Sequence, residues 1–250
     1  MDMDAVIAFA GKVGADQAAT LGSALAYVGD RLGLWAALAE AGPVTSAELA
    51  TRTGLAERYL REWLSAQAAA GYVEHADGVF SLPPEKAAVL GVDGSPAAMA
   101  GGFEFAAALW AGAERLEQAF RTGEGIAWGE HDGRLAGSVD RCFRVPYGNS
   151  LVAEWLPALD GVADRLRAGA RVLDVGCGLG SATLMIADAF PASTVVGIDV
   201  HEPSVAAATE RAGGRVDFAV GGATDYADGW DLICFFDALH DMGDPLAAAQ

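Results

Sequence analysis

The chain has 250 residues, enough for one large domain or two ordinary ones. At 52% hydrophobic and 20% charged it has a globular composition, which excludes a disordered chain. Its net charge of −18 disfavours partners recognised through phosphates, nucleic acids first among them, and leaves cationic ligands unopposed.

The N-terminus does not read as a signal peptide. Residues 1–4 carry two acids and no base, and the apolar stretch that follows is interrupted by Gly11, Lys12 and Gly14. No run is long and apolar enough to span a bilayer, so a cytoplasmic protein is expected. Cys142, Cys177 and Cys234 are odd in number and far apart, with no CxxC pair and no His/Cys spacing for zinc. Reduced thiols and no metal site are the expectation.

Residues 15–90 read as a small helical unit with a hairpin. Over residues 30–40, Leu32, Leu34, Trp35 and Leu38 fall on one helical side, and Gly42-Pro43 ends the run. Thr45 and Glu48 have capping-box spacing for a short helix that stops at Gly54. Residues 56–70 form a third helix with Tyr59, Leu60, Trp63 and Leu64 inward, closed by Gly71. Residues 72–74 and 79–82 read as strands joined by a turn at Asp77-Gly78. Helix, short helix, helix, hairpin is the order of a winged helix-turn-helix, and residues 1–94 are expected to form that domain.

Residues 95–168 read as a helical connector that caps a pocket. Helices are expected over 96–108, 111–120, 139–143 and 150–166, with a Gly/Trp/His stretch at 123–133. Phe105, Trp128, Phe143 and Tyr147 are the candidate pocket-lining aromatics, while His75 and His131 stay surface or lining residues. From Arg171 the periodicity changes. Strands at 172–175, 194–200, 216–220 and 231–236 alternate with helices at 182–190 and 204–212, which argues for a parallel sheet with right-handed crossovers. Residues 169–250 thus form a Rossmann-like, doubly wound α/β domain, with the strands expected in the order 3-2-1-4.

The most informative stretch is Asp174-Val-Gly176-Cys177-Gly178-Leu-Gly180, where the first strand turns into a helix. Glycines there allow backbone to approach a ligand closely. A dinucleotide fingerprint needs Gly or Ala at the sixth place, and this chain has Ser181, so an NAD(P) site is disfavoured. Asp199 ends the second strand about 20 residues past the loop, where an acid accepts from both hydroxyls of a ribose.

Asp174 to Gly180 resembles the first motif of class I S-adenosylmethionine (SAM)-dependent methyltransferases. With the winged helix ahead of it, nearly the whole chain is similar to small-molecule O-methyltransferases and to a group of actinobacterial winged-helix methyltransferase-like proteins. The resemblance implies SAM as cofactor, S-adenosylhomocysteine (SAH) as product, and a small-molecule acceptor. It assigns cofactor contacts to Asp174, Gly176, Cys177, Gly178, Gly180, Asp199, Val200 and His201. Ala223, Thr224 and Asp225 fall in the loop that holds the adenine in the family, although relatives place an acid earlier in that loop. Phe236 and Asp237 fall beside the methionyl group. The segment from Asp237 through His240 and Asp241 resembles the family's catalytic His-Asp stretch, which makes His240 the candidate base. An imidazole suits removal of a hydroxyl proton. Relatives often carry Trp where Met242 stands.

Across residues 1–90 the sequence has 6 basic and 11 acidic residues, a net of −5. A basic face for DNA is missing, so the winged helix is expected to build a homodimer and the pocket, with nucleic acid unlikely as a partner. The rival from another class is a SAM-sensing transcriptional regulator that has lost catalysis. A sheet of this family has seven strands, so roughly a third of the native protein is expected to follow Gln250.

Overall fold

Two tryptophans organise the N-terminal part of the chain. In the computed structural model, which describes residues 1–226 and 228–249, the chain divides into two compact units, Met1–Trp110 and Ala111–Gln250. The first opens with a 29-residue helix, α1 (Met3–Arg31), whose N-terminal N–H groups donate to the Asp2 carboxylate. There follow α2 (Leu34–Ala41), α3 (Ser46–Thr53), α4 (Glu57–Ala69), a hairpin of β1 (Glu74–Ala76) and β2 (Val79–Ser81), α5 (Pro84–Leu90) and α6 (Gly101–Ala111). Trp35 of α2 and Trp63 of α4 are buried with ring centroids 4.8 Å apart. Their indole N–H groups donate to α1, at Ala26 O (3.2 Å) and Leu25 O (2.8 Å). Each large apolar ring is thus buried with its one polar atom satisfied. Gly29 makes the approach of α4 to α1 possible, since a Cβ there would lie 2.3 Å from the Trp63 ring. A glycine inside a helix costs about 0.5–1 kcal/mol relative to alanine, less than the overpacking it avoids.

The local signals of this unit appear as the sequence implies. Thr45 Oγ1 accepts from Glu48 N (3.2 Å) and Glu48 accepts from Thr45 N (2.7 Å), closing the capping box. Those bonds hold the Glu48 carboxyl below its ordinary range. Asp77 (φ 50°) and Gly78 (φ 81°) take consecutive left-handed conformations, the turn that a tight hairpin requires. The long first helix is the departure. Of its residues Ala26 and Gly29 are buried, while Val6, Ile7, Phe9, Val13 and Leu21 all remain exposed.

The second unit carries α7 (Ala113–Thr122), α8 (Arg134–Pro146), a π-helical segment Tyr147–Trp155, and α9 (Val162–Ala168). A single helix over 150–166 does not form. Leu156 N reaches back five residues to Leu151 O (3.0 Å), and Pro157 then removes a donor and stops the ladder. The βα part follows as β3 (Arg171–Val175), α10 (Ser181–Ala189), β4 (Thr194–Asp199), α11 (Glu202–Ala212), β5 (Asp217–Val220), β6 (Leu232–Cys234) and α12 (Pro245–Ala248). The strands pair in parallel in the order β5-β4-β3-β6, the expected 3-2-1-4 arrangement. Val172, Leu173 and Val175 of β3 are buried, as a strand covered on both faces requires. Register sets Asp174 beside Gly197 and Cys234, so the carboxyl ends of three strands open together. Residues 95–110, expected in the connector, pack with the first unit, and residues 111–168 with the second. Among the described residues no helix is long and apolar enough to cross a membrane.

Candidate active site

The site begins where β3 ends. Gly176, Gly178 and Gly180 all take left-handed φ values (73°, 53° and 78°), a tight turn that other residues resist. Their reasons for being glycine differ. A Cβ on Gly176 would lie 2.5 Å from Ala238 Cβ, and one on Gly180 would lie 2.7 Å from the Phe218 ring. Gly178 has open space within 4 Å of such a Cβ. The first and third glycines therefore permit packing, and the middle one leaves room.

β4 holds the loop from the side. Gly176 N and Cys177 N both donate to Ile198 O (2.8 and 3.0 Å). Gly178 N donates to Asp199 Oδ2 (2.8 Å), His201 N donates to Asp199 Oδ1 (2.8 Å), and Gly221 N donates to Asp199 O (3.0 Å). One residue at a strand end thereby ties three loops together.

Asp174, one residue before the end of β3, is 1% exposed. Its Oδ2 accepts from Thr183 Oγ1 of α10 (2.6 Å), while its Oδ1 has no partner among the described residues. Burial lifts its pKa to about 7; the Thr183 hydroxyl opposes the shift and the neighbouring Asp199 adds to it. Burial and the nearby Asp174 and Asp199 also push the Cys177 thiol up, so it stays neutral. An unpartnered carboxylate oxygen beneath an open glycine loop is a place for a cation.

Above these residues lies a cavity of about 710 Å³, within the size range of small-molecule sites. Asp174, Gly176, Cys177, Gly178, Asp199, Val200, Ala223, Thr224, Phe236 and Asp237 line it, as do Trp128, Phe143 and Tyr147. Phe143 and Tyr147 stack at 6.0 Å, and Tyr147 meets Phe236 at 5.5 Å. Burial, with Asp237 next, raises the Tyr147 phenol, which therefore stays protonated. The other expected residues lie elsewhere. Gly180 packs on Phe218. The Asp225 carboxylate closes its own loop by accepting from Gly222 N (2.8 Å). His201 bonds Ser204 Oγ through Nδ1 (2.8 Å). Phe105 belongs to α6 in the N-terminal unit. His240 sits on a short turn, Leu239–Asp241, with its side chain 65% exposed. Its Nε2 is 3.2 Å from Asp237 Oδ1 and its Nδ1 3.5 Å from Asp241 Oδ1; both of those acids line the cavity.

Asp140 of α8 also lines the cavity and has no local sequence signal. It accepts from Ser181 Oγ, 41 residues away, and faces Arg211 Nη1 (3.4 Å), 71 residues away. Arg211 also donates to Leu179 O (2.6 Å) and Ser181 Oγ (3.1 Å). This clamp joins the helix over the cavity to the glycine loop beneath it.

Comparison with known proteins accords with this arrangement. The family model described as an Rv2258c-like winged HTH domain matches residues 19–91, and a methyltransferase-domain model matches residues 172–249. Among solved structures, the mitomycin 7-O-methyltransferase MmcR is 25% identical with a TM-score of 0.69, over 97% of this chain and 75% of that one. A methyltransferase of calicheamicin biosynthesis in its SAH-bound form is 24% identical, TM-score 0.60, over 98% and 74%. PigF with SAH is 22% identical, TM-score 0.65, over 96% and 73%. A search of curated proteins found no match.

The buried carboxyl has a measurable consequence. Asp174 ionises near 4 in an unfolded chain but only near 7 when folded, so the native state loses stability as pH rises between those values. Asp174→Asn keeps an acceptor for Thr183 and removes that loss. Its gain over the parent should grow from about pH 4 and level off above about pH 7, on the order of 4 kcal/mol at most. Urea unfolding at several pH values checks this; a difference that does not vary with pH would contradict it.

Proposed function

We propose that this chain, in which a winged helix-turn-helix domain precedes a class I methyltransferase domain, moves a methyl group from SAM to a hydroxyl of a small-molecule acceptor, yielding SAH. The observation that carries the proposal is Asp174, buried at the foot of the glycine loop with Oδ1 unpartnered. A ligand with an ammonium and a sulfonium supplies the charge that this oxygen lacks. The other residues present fit the same ligand. Gly178 leaves room for the methionyl part, Asp199 and Val200 stand at the strand end where a ribose would lie, and Ala223 and Thr224 border the adenine side. Phe236 and Asp237, just past the end of β6, line the cavity where the methionyl side would lie. Cys177 and Gly180 support the loop, as His201 and Asp225 support the loops after β4 and β5.

SAM, when bound, supplies a methyl group on a positively charged sulfur, which keeps the S–C electron pair as the new O–C bond forms. What the protein adds is position and a base. The aromatic wall of Trp128, Phe143 and Tyr147 holds a flat acceptor in line, the main source of acceleration in such transfers. His240 takes the hydroxyl proton, and Asp237 and Asp241, on either side of its ring, orient it and stabilise the imidazolium. Against the regulator alternative stands the pairing of Arg58 with Glu62 (3.0 Å) and Arg61 with Glu57 (3.8 Å) along α4, which uses that helix's own bases internally. A cytoplasmic setting suits three cysteines that form no disulfide.

Calorimetric titration with SAH, with NADH in parallel, tests the cofactor. Micromolar SAH binding that Asp199→Ala abolishes is expected, and no heat from NADH; the absence of SAH binding would refute the proposal. In turnover, His240→Ala should lower kcat by about 10²–10⁴-fold while leaving SAH affinity intact.

The proposal includes a homodimer formed through α1, whose exposed Val6, Ile7, Phe9 and Val13 make an apolar surface of the kind that marks an interface. Sedimentation should give twice the chain mass, and Ile7→Glu with Phe9→Lys should give the monomer. A parent chain that sediments as a monomer would rule the dimer out.

A further inference from the structure

The charge of the cavity lining is one-sided. Six aspartates line it (Asp140, Asp174, Asp199, Asp237, Asp241 and Asp244), and no Lys, Arg or His does so among the described residues. Three of the six have evident work. Asp174 holds its free oxygen for the cofactor, whose net charge is a single positive one. Asp199 accepts backbone N–H groups on both oxygens, and Asp140 is bound to Ser181 and faces Arg211. Arg211 does not line the cavity, and its charge is met by Asp140 at 3.4 Å.

Asp237, Asp241 and Asp244 remain, all from the stretch after β6. The first two flank His240, whose ring they orient, and Asp244 caps α12 through one oxygen. An acidic acceptor entering here would meet three carboxylates, two of them paired with His240, and like charges brought together repel. A cation would be drawn in. Trp128, Phe143 and Tyr147 line the same cavity, and aromatic rings attract a desolvated cation. The same preference for positive charge shows in Asp174 at the foot of this cavity, buried with an oxygen that no group among the described residues satisfies.

We propose that the acceptor is a flat aromatic molecule carrying a protonated amine and no carboxylate, sulfonate or phosphate, its ammonium held by Asp237, Asp241 and Asp244. This rests on the methyltransferase reading above and adds the acceptor's charge class to it.

The test uses the purified chain saturated with SAH and three catechols of matched size: dopamine as the cation, 4-methylcatechol as the neutral probe, and 3,4-dihydroxyphenylacetate as the anion. Binding is followed calorimetrically at low and at moderate salt. Dopamine should bind about tenfold or more tightly than 4-methylcatechol, and the acid more weakly than either. The gap should shrink with salt, and in the Asp237→Asn, Asp241→Asn double variant dopamine should fall towards the neutral probe. Equal binding of cation and anion, a preference for the acid, or no binding of dopamine to the SAH-loaded chain would overturn the proposal. Failure of the chain to take SAH at all is seen in the first titration, and would bring down the methyltransferase reading together with this one.

Discussion

A carboxylate buried at the end of a central parallel strand, with one oxygen held and the other without a partner, constrains everything around it. Thr183 reaches Asp174 only if α10 turns back across the end of β3 within a few residues, and that turn needs left-handed backbone at Gly176, Gly178 and Gly180. The free oxygen survives burial only if it is protonated or if a cation meets it. The fold therefore keeps in its most rigid part a group whose ionised form is completed from outside. Such unsatisfied groups are rare in native interiors and call for a physical account; a cationic ligand provides one.

The rest of the site keeps that arrangement from relaxing. Asp199 fastens the glycine loop, the start of α11 and the loop after β5 with bonds of 2.8 to 3.0 Å. Ala238 and the Phe218 ring fill the space that side chains at Gly176 and Gly180 would need. Asp140, Ser181 and Arg211 fasten the helix above to the loop below. A site for methyl transfer depends on such pre-set geometry, because its chemistry asks little of the protein beyond alignment and a base.

Features legible in the sequence were those whose cause is local. The capping box at Thr45 and Glu48, the left-handed turn at Asp77-Gly78, the glycine run and the strand-end position of Asp199 each follow from a few neighbouring residues, and the βα alternation pointed to a parallel sheet, whose 3-2-1-4 order came with the Rossmann-like reading. Distance defeated the reading elsewhere. Asp140 looks like any acid on an amphipathic helix until Ser181 and Arg211 are brought to it from far along the chain. The inward side of α1 is made of small residues such as Gly22, Ser23, Ala26 and Gly29, so this helix had no inward apolar signal. Pro157 was in plain view but competed with an apolar run that favoured one long helix. Gly180 reads as part of a ligand loop, yet its neighbour is Phe218, and the Asp225 carboxylate was spent on its own turn at Gly222.

The most direct test of the central claim is the proton balance of SAM binding, measured by calorimetry in buffers of different ionisation enthalpy. If the ligand's cation completes Asp174, binding at about pH 6 should release close to one proton, and binding at about pH 8.5 almost none from this group. The Asp174→Asn variant should lose the release at the lower pH. Binding at about pH 6 with no proton released would contradict the account, because the buried carboxyl would then have stayed protonated beside the ligand it is held to recognise.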